Sequence, residues 1–321
     1  MTISTDAPDQ PSLIARLSHQ PYLLLSLMAL FWSANIVLGR FVAGHVPPFA
    51  LTFTRWFGTA LLVMPFAWPH LKRDWPTIRK NVPLLSALAF TGFALNNAFS
   101  YWGLQHTQAI NALLIQSSGP LFVALWSLIL FGVRITTAQA IGILISLAGV
   151  LVIILRGDIA LLLAIQFNSG DIAFTSALLV FGLYSALMPH RPKMHALSLI
   201  AITTAWGALM LIPLVAWEVA IGQTLIFDRL TISTLIFVVI FPSTLAYLFF
   251  NRGIELIGPN RAAPFFHLVP VFGSAMAILF LGEKLGLFHI VGYALVLAGI
   301  FIASRKRPSK TLRSQGQPPL H

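Results

Sequence analysis

Apolar residues along this chain arrive in blocks of about twenty, set apart by short polar stretches. About twenty apolar residues is the length at which an α-helix crosses the ~30 Å hydrocarbon core of a bilayer. Ten blocks can be delimited: 21–43, 48–68, 83–104, 110–131, 137–155, 171–190, 196–217, 231–250, 259–281 and 287–304. A further greasy piece, 158–167, is too short to cross and is expected to lie at the interface. The pattern predicts an all-α integral membrane protein of ten transmembrane helices.

The fourth block is interrupted. "NALLIQSSGPLFVALWSLILFG", residues 111–132, carries Gln116, Ser117, Ser118, Gly119 and Pro120 at its centre. Displacing the sequence by 150 positions shows the interruption again. Pro120 meets Pro270, Phe122 meets Phe272, Gly132 meets Gly282 and Gly142 meets Gly292, while Leu147, Ala148 and Gly149 meet Leu297, Ala298 and Gly299. With Leu95, Phe99, Gly103 and Ala112 matched upstream, eleven identities fall in the sixty positions 93–152. The shared prolines and glycines weigh most, because each punctuates a helix at the same depth.

Five crossings per half is an odd number, so the second half, 171–304, enters the membrane inverted relative to the first, 21–155. Residues 156–170 are the linker, 1–20 a polar tail and 305–321 a basic one. Inverted repeats place a substrate site near the bilayer midplane, in a central cavity between the halves. Proline removes a backbone donor and crowds the preceding turn, so Pro120 and Pro270 are expected to kink or open the fourth and ninth helices.

Composition agrees: 57% of residues are hydrophobic and 9% charged, against roughly 25% charged in a soluble domain. The net charge of +11 raises nucleic acid as a partner, but the distribution of basic residues excludes it. With the N-terminus inside, one face collects fifteen of the twenty, in the loops after even-numbered spans and in both tails. The opposite face has only Arg40, Arg156, Arg229 and Lys284, and Arg55 falls inside the second span. That asymmetry follows the positive-inside rule and puts both termini in the cytoplasm. The loops are too short to build a nucleic-acid surface. Residues 1–20 lack the features of a removed signal peptide, so the first block reads as an uncleaved anchor. Zero cysteines rules out disulfides, thiolate metal sites and thiol nucleophiles.

The segments "LFWSANIVLGRF", "ALTFTRWFGTALLVMP", "GPLFVALWSLILFG", "VPVFGSAMAILFLGEKL" and "GYALVLAGIFIA" resemble the drug/metabolite transporter superfamily, in its EamA-type branch, across residues 21–304. The resemblance implies two inverted five-helix halves around a central cavity, with the fifth and tenth helices peripheral. Among relatives the chain looks most like inner-membrane exporters of aromatic and other amino acids. It departs at one repeated motif: Gly282 is followed by Glu283, but Gly132 by Val133.

Candidate cavity residues follow from polar and aromatic side chains at depth. The first span offers Trp32, Ser33 and Asn35, and its counterpart Tyr184 and Ser185. The third offers Asn96 and Ser100 near one face, with Asn97 and Tyr101 on the adjoining stripe. Adjacent amides cannot both be satisfied cheaply by lipid, so at least one should face the cavity. The matched positions in the eighth span are Tyr247 for Asn97 and Asn251 for Tyr101, the same chemistries in exchanged order. Gln116 and the two serines join them, against the alternative that the serines only bond their own helix. Trp32 has an alternative as an interfacial belt residue, although it sits near mid-depth.

All nine acids fall in tails, loops or span ends, which leaves no intramembrane carboxylate relay for ion coupling. His267 is the histidine expected at depth, as a proton switch or as a neutral residue bonded to a neighbouring helix. Arg55 carries a fork suited to a carboxylate, but a structural part, snorkelling or pairing with a carbonyl, is the preferred reading.

A membrane-embedded enzyme would have to use Ser117 or Ser118 with His267, and no acid accompanies them. A scaffold or receptor leaves the repeat without a purpose. The expectation is a secondary transporter of small amphipathic metabolites, with amino acids first and cationic drugs second, working by alternating access. No cofactor or metal is called for. The expected partners are a small-molecule substrate and the bilayer, with oligomeric state left open.

Overall fold

The computed structural model describes residues 19–132, 137–155, 157–158, 168–257, 265–266 and 268–304, and among them every regular element is helical. The helices are α1 (Pro21–Phe41), α2 (Pro48–Lys80), α3 (Val82–His106), α4 (Ala109–Gln116), α5 (Gly119–Phe131), α6 (Thr137–Ile154), α7 (Ser169–Leu187), α8 (Ala196–Ala220), α9 (Arg229–Ile257), α10 (Leu268–Leu281) and α11 (Leu287–Ser304). Six of these, α1, α2, α3, α7, α8 and α9, are long and apolar enough to cross a membrane. α4 and α5 together make one more such stretch, bent by 46°. α6, α10 and α11 are shorter apolar helices. The expected interfacial piece at 158–167 falls almost wholly outside the described residues, and of the linker 156–170 only 157–158 and 168–170 are described.

α2 continues twelve residues past the end of its apolar block at 68, through Pro69 and Pro76 to Lys80. Lys72, Arg73, Arg79 and Lys80 therefore sit on helix rather than loop. Arg79 and Lys80 occupy the last turn, where cations complement the unpaired carbonyls of a helix C-terminus.

Close backbone approach decides which helices pair. A Cβ on Gly149 would lie 2.6 Å from the Gly292 carbonyl oxygen, and one on Gly292 2.8 Å from the Gly149 oxygen. Small residues at such seams let helix backbones touch, and α6 packs on α11 more extensively than any other two helices do. Gly103 and Gly170 make the same kind of seam between α3 and α7. α2 packs on α8, α9 and α10 both pack on α1, and α5 packs on α7.

Two helix starts are capped by carboxylates from distant sequence. Glu218 accepts from the Phe49 N–H at 2.9 Å and the Ala50 N–H at 2.8 Å, at the head of α2. Glu283 accepts from the Ala109 N–H at 2.8 Å and the Ile110 N–H at 2.9 Å, at the head of α4. Each satisfies two orphan donors at the positive end of a helix dipole. The acid that breaks the symmetry of the Gly132–Val133 and Gly282–Glu283 motifs is thus a cap.

Candidate functional site

The chain stops being regular at the middle of α3 and of α9. Each has a π-helical turn, Phe90–Leu95 in α3 and Val239–Leu245 in α9. A π-turn opens the helix by one residue and leaves carbonyls short of a partner. Asn97 Nδ2 donates to the Gly92 and Phe93 carbonyls, both at 3.2 Å. Ser243 Oγ donates to the Val238 carbonyl at 2.7 Å, and Thr244 Oγ1 to that of Val239 at 2.8 Å. Pro242 sits inside the second turn, where its missing N–H removes a donor that a widened turn does not need. In the first turn Gly92 makes room for a neighbour: a Cβ there would lie 2.4 Å from Tyr184 Cδ2.

Arg55 joins the two turns. Its Nε donates to Ser243 Oγ at 2.6 Å, and its Nη1 donates to Asn97 Oδ1 and to the Tyr101 hydroxyl, each at 3.1 Å. The Tyr101 hydroxyl in turn donates to Asn35 Oδ1 at 2.6 Å. The guanidinium also lies 4.5 Å from the centre of the Trp56 ring. An arginine within a spanning helix is costly, up to about 3 kcal/mol at the bilayer centre on insertion scales. Here three neutral oxygens and an indole face offset much of that.

These groups wall a cavity of about 220 Å³, small beside the ~300–1,000 Å³ typical of sites for drug-sized ligands. Its lining takes Trp32, Asn35, Arg55, Asn96, Asn97, Ser100, Tyr101, Gln116, Ser117, Tyr247 and Pro270, with Phe174, Phe181 and Phe266 as apolar walls. The Trp32 ring meets Tyr247, Phe250 and Phe266 at centroid distances of 5.7, 5.8 and 5.4 Å. Its Nε1 donates to the Pro242 carbonyl at 3.1 Å, so the indole is held by α9's widened turn. A wider hollow of about 550 Å³ between Arg40, Gln105 and Glu283 lies away from the π-turns and their polar cluster.

The structure sorts the candidate residues. It brings Trp32, Asn35, Asn96, Asn97, Tyr101, Gln116 and Tyr247 to one cavity. Asn251 is exposed on α9 and Tyr184 packs on Gly92 and Phe93, so neither lines it. His267 lies outside the described residues. Ser118 donates to the Ile115 carbonyl at 2.7 Å, the self-bonding alternative, whereas Ser117 lines the cavity. The helix is interrupted at the turn Ser117–Ser118, and Pro120 occupies the start of α5. Pro270 is the third residue of α10, a first-turn position whose N–H would have no intrahelical partner anyway.

Two features run against the sequence reading. Arg55 is part of the wall, because the π-turns aim Asn97 and Ser243 at it; a pattern of residue types does not reveal a π-turn. The second lies at helix ends, where Asp171 and His289 are packed away from solvent. Asp171 accepts from the Thr107 hydroxyl and from Asn111 Nδ2, the latter at 3.2 Å to both oxygens. Asn111 Oδ1 lies 2.8 Å from His289 Nε2, and His289 Nδ1 accepts from the Gly286 N–H at 2.8 Å. The Gly286 donor fixes the proton on Nε2, which then donates to Asn111. His289 is the buried histidine among the described residues. A span-end position in sequence says nothing about which neighbours cover it.

A model of the EamA-like transporter family matches residues 20–155 and 168–305. An uncharacterized transporter of Bacillus subtilis is 28% identical over 88% of this chain and 93% of its own length. A probable amino-acid metabolite efflux pump of Salmonella typhimurium is 25% identical over 89% and 95%. A probable terminal-alkyne amino-acid exporter of Streptantibioticus cattleyicolor is 24% identical over 71% and 74%. One crystal structure, 18% identical, superposes with a TM-score of 0.58 over 88% of this chain and 97% of that one, a likeness of fold.

Proposed function

The chain belongs to the EamA-like transporter family, and on that premise we propose that it carries small amphipathic metabolites, amino acids first, out across the cytoplasmic membrane. It is a multi-pass membrane protein. The reading takes it as ten crossings in two inverted halves that rock about the central cavity, with both termini in the cytoplasm.

The observation that carries the reading is the cavity itself. Residues of both halves line it, with indole and phenol rings beside amides, the mixture that holds an apolar side chain and a polar head together. Support for the inverted repeat comes from the packing. Exchanging α1 with α7, α3 with α9 and α5 with α10 turns the α3–α7 contact into α9–α1, and α5–α7 into α10–α1. The pairs α2–α8 and α6–α11 map onto themselves. The π-turn Phe90–Leu95, displaced by 150, falls within Val239–Leu245. Gly132 and Gly282, with φ of 60° and 67°, end α5 and α10 in the same left-handed cap. Relatives named a probable terminal-alkyne amino-acid exporter and a probable amino-acid metabolite efflux pump favour that cargo. A cationic drug would want a carboxylate in the wall, and the described lining has none. An enzyme built on Ser118 is disfavoured because its hydroxyl is spent on its own helix.

Counterflow in proteoliposomes tests the proposal, with labelled amino acids, quaternary amines and nucleotide sugars as the panel. Accelerated exchange of an apolar amino acid is the expected result. Exchange of quaternary amines alone favours drug export instead, and no exchange of any compound ends the transport reading.

A further inference from the structure

We propose that Arg55 is the anchor for a substrate carboxylate, so that the cavity accepts small carboxylates, zwitterionic or anionic, and rejects the matching amines. The inference rests on the reading of that cavity as the substrate site.

The argument is a count of charges and donors. Arg55 is the one cation in the described lining, which contains no acid. No ion pair among the described residues involves it. Its partners, Ser243, Asn97 and Tyr101, are neutral, so they fix the guanidinium without cancelling its charge. A structural arginine buried in a membrane protein is normally paired with an acid or with backbone carbonyls, and among the described residues Arg55 bonds only neutral side chains.

A guanidinium has five N–H donors. Nε spends one and Nη1 two, while the pair on Nη2 finds no acceptor among the described residues. Nη2 is also absent from the fully enclosed, unpartnered side-chain atoms, so it keeps some accessible surface, and Arg55 lines the cavity. The residue is thus rigidly held at Nε and Nη1, braced on the Trp56 face, and open at Nη2. Pre-organised donors and a fixed charge in a low-dielectric wall attract an anion strongly and repel a cation. The α-ammonium of an amino acid meets no countercharge here, only amide oxygens and ring faces. The carboxylate therefore supplies the polar affinity, and Trp32, Tyr247 and Phe266 take the apolar remainder.

Isothermal titration calorimetry on the purified full chain in detergent at pH 7 tests this with three probes that share one ring: phenylalanine, 3-phenylpropionate and phenethylamine. The two carboxylates are expected to bind and the amine to bind at least about tenfold more weakly, the scale of a hydrogen bond to a charged group. Arg55→Gln is expected to weaken both carboxylates by about 10- to 100-fold and to erase the difference from the amine. Arg55→Lys should recover part of the loss, because charge survives without the planar fork. Phenethylamine binding as tightly as 3-phenylpropionate, or neither carboxylate binding, overturns the proposal. So does a monodisperse Arg55→Gln protein with wild-type affinities. The wild-type ranking needs no variant, so misfolding of Arg55→Gln does not remove the test. Intact binding with no exchange in vesicles sinks the transport reading and leaves the anchor standing.

Discussion

At the scale of single residues, the cavity is held by a short chain of hydrogen bonds in which Tyr101 is the central link. Its hydroxyl donates to Asn35 and accepts from Arg55. Tyr101→Phe removes both bonds at no cost in volume. Arg55 and Asn35 then turn to cavity water, so the expected loss of stability is about 1 kcal/mol, the lower end for such bonds. Amino-acid exchange should fall severalfold while the melting temperature drops by only a few degrees; a variant with unchanged exchange would remove Tyr101 from the site. Asn97 and Asn96 were legible in sequence because an amide inside an apolar block has no cheap partner in lipid. The same logic points to Asn251, which is exposed on α9, since equivalence under the repeat does not fix which face a side chain takes. Tyr184 fills the space left by Gly92, a contact between segments that composition cannot anticipate.

At the scale of elements, caps and seams carry the stability. Glu283→Ala leaves the Ala109 and Ile110 amides without their acceptor, at an expected cost of about 1–2 kcal/mol. Glu283→Gln should recover part of it with one acceptor oxygen. Thermal melts of the two variants in detergent check the order. Gly149→Val puts a branched side chain against the Gly292 carbonyl and is expected to cost about 1–3 kcal/mol or more by overpacking, read as a lowered melting temperature.

Asp228 caps α9 and gives a pH dependence. The Thr231 N–H bonded to its carboxylate at 2.8 Å, ahead of the contribution of His45, holds its pKa below the usual carboxylate value. A depressed carboxylate stabilises the fold above its unfolded pKa and loses that contribution as pH falls through the folded value. The melting temperatures of wild type and Asp228→Ala should therefore differ at pH 7 and converge in acid below both values. A gap that persists there would mean that the carboxylate charge is not the cause. Apolar blocks place the ends of α1, α3, α7, α8 and α11 to within a few residues, whereas α2 runs twelve residues past its block and α9 seven. The π-turns do not show in the blocks, because one extra residue in a turn leaves the block length unchanged.

At the scale of the whole molecule, the absence of cysteine makes topology directly measurable. Single cysteines at the exposed positions Gln223 and Lys284 should react with a membrane-impermeant maleimide added outside intact cells. Cysteines at Lys80 and Lys193, also exposed, should react only after lysis; the reverse pattern would overturn the proposed orientation. Asn97→Leu and Tyr247→Phe should each depress exchange with the fold intact, since both side chains line the cavity. By itself the sequence determined that the chain lives in a bilayer, roughly where its helices run, that its halves echo one another at prolines and glycines, and which polar residues needed a wet neighbour. Those are properties of one segment against its solvent, set by transfer free energies that each block carries alone. Only the tertiary structure decided that Arg55 belongs to the wall, that Glu283 is a cap, and that Asp171 and His289 are buried. Each of those depends on a partner 60 or more positions away, brought close by packing that no local pattern encodes.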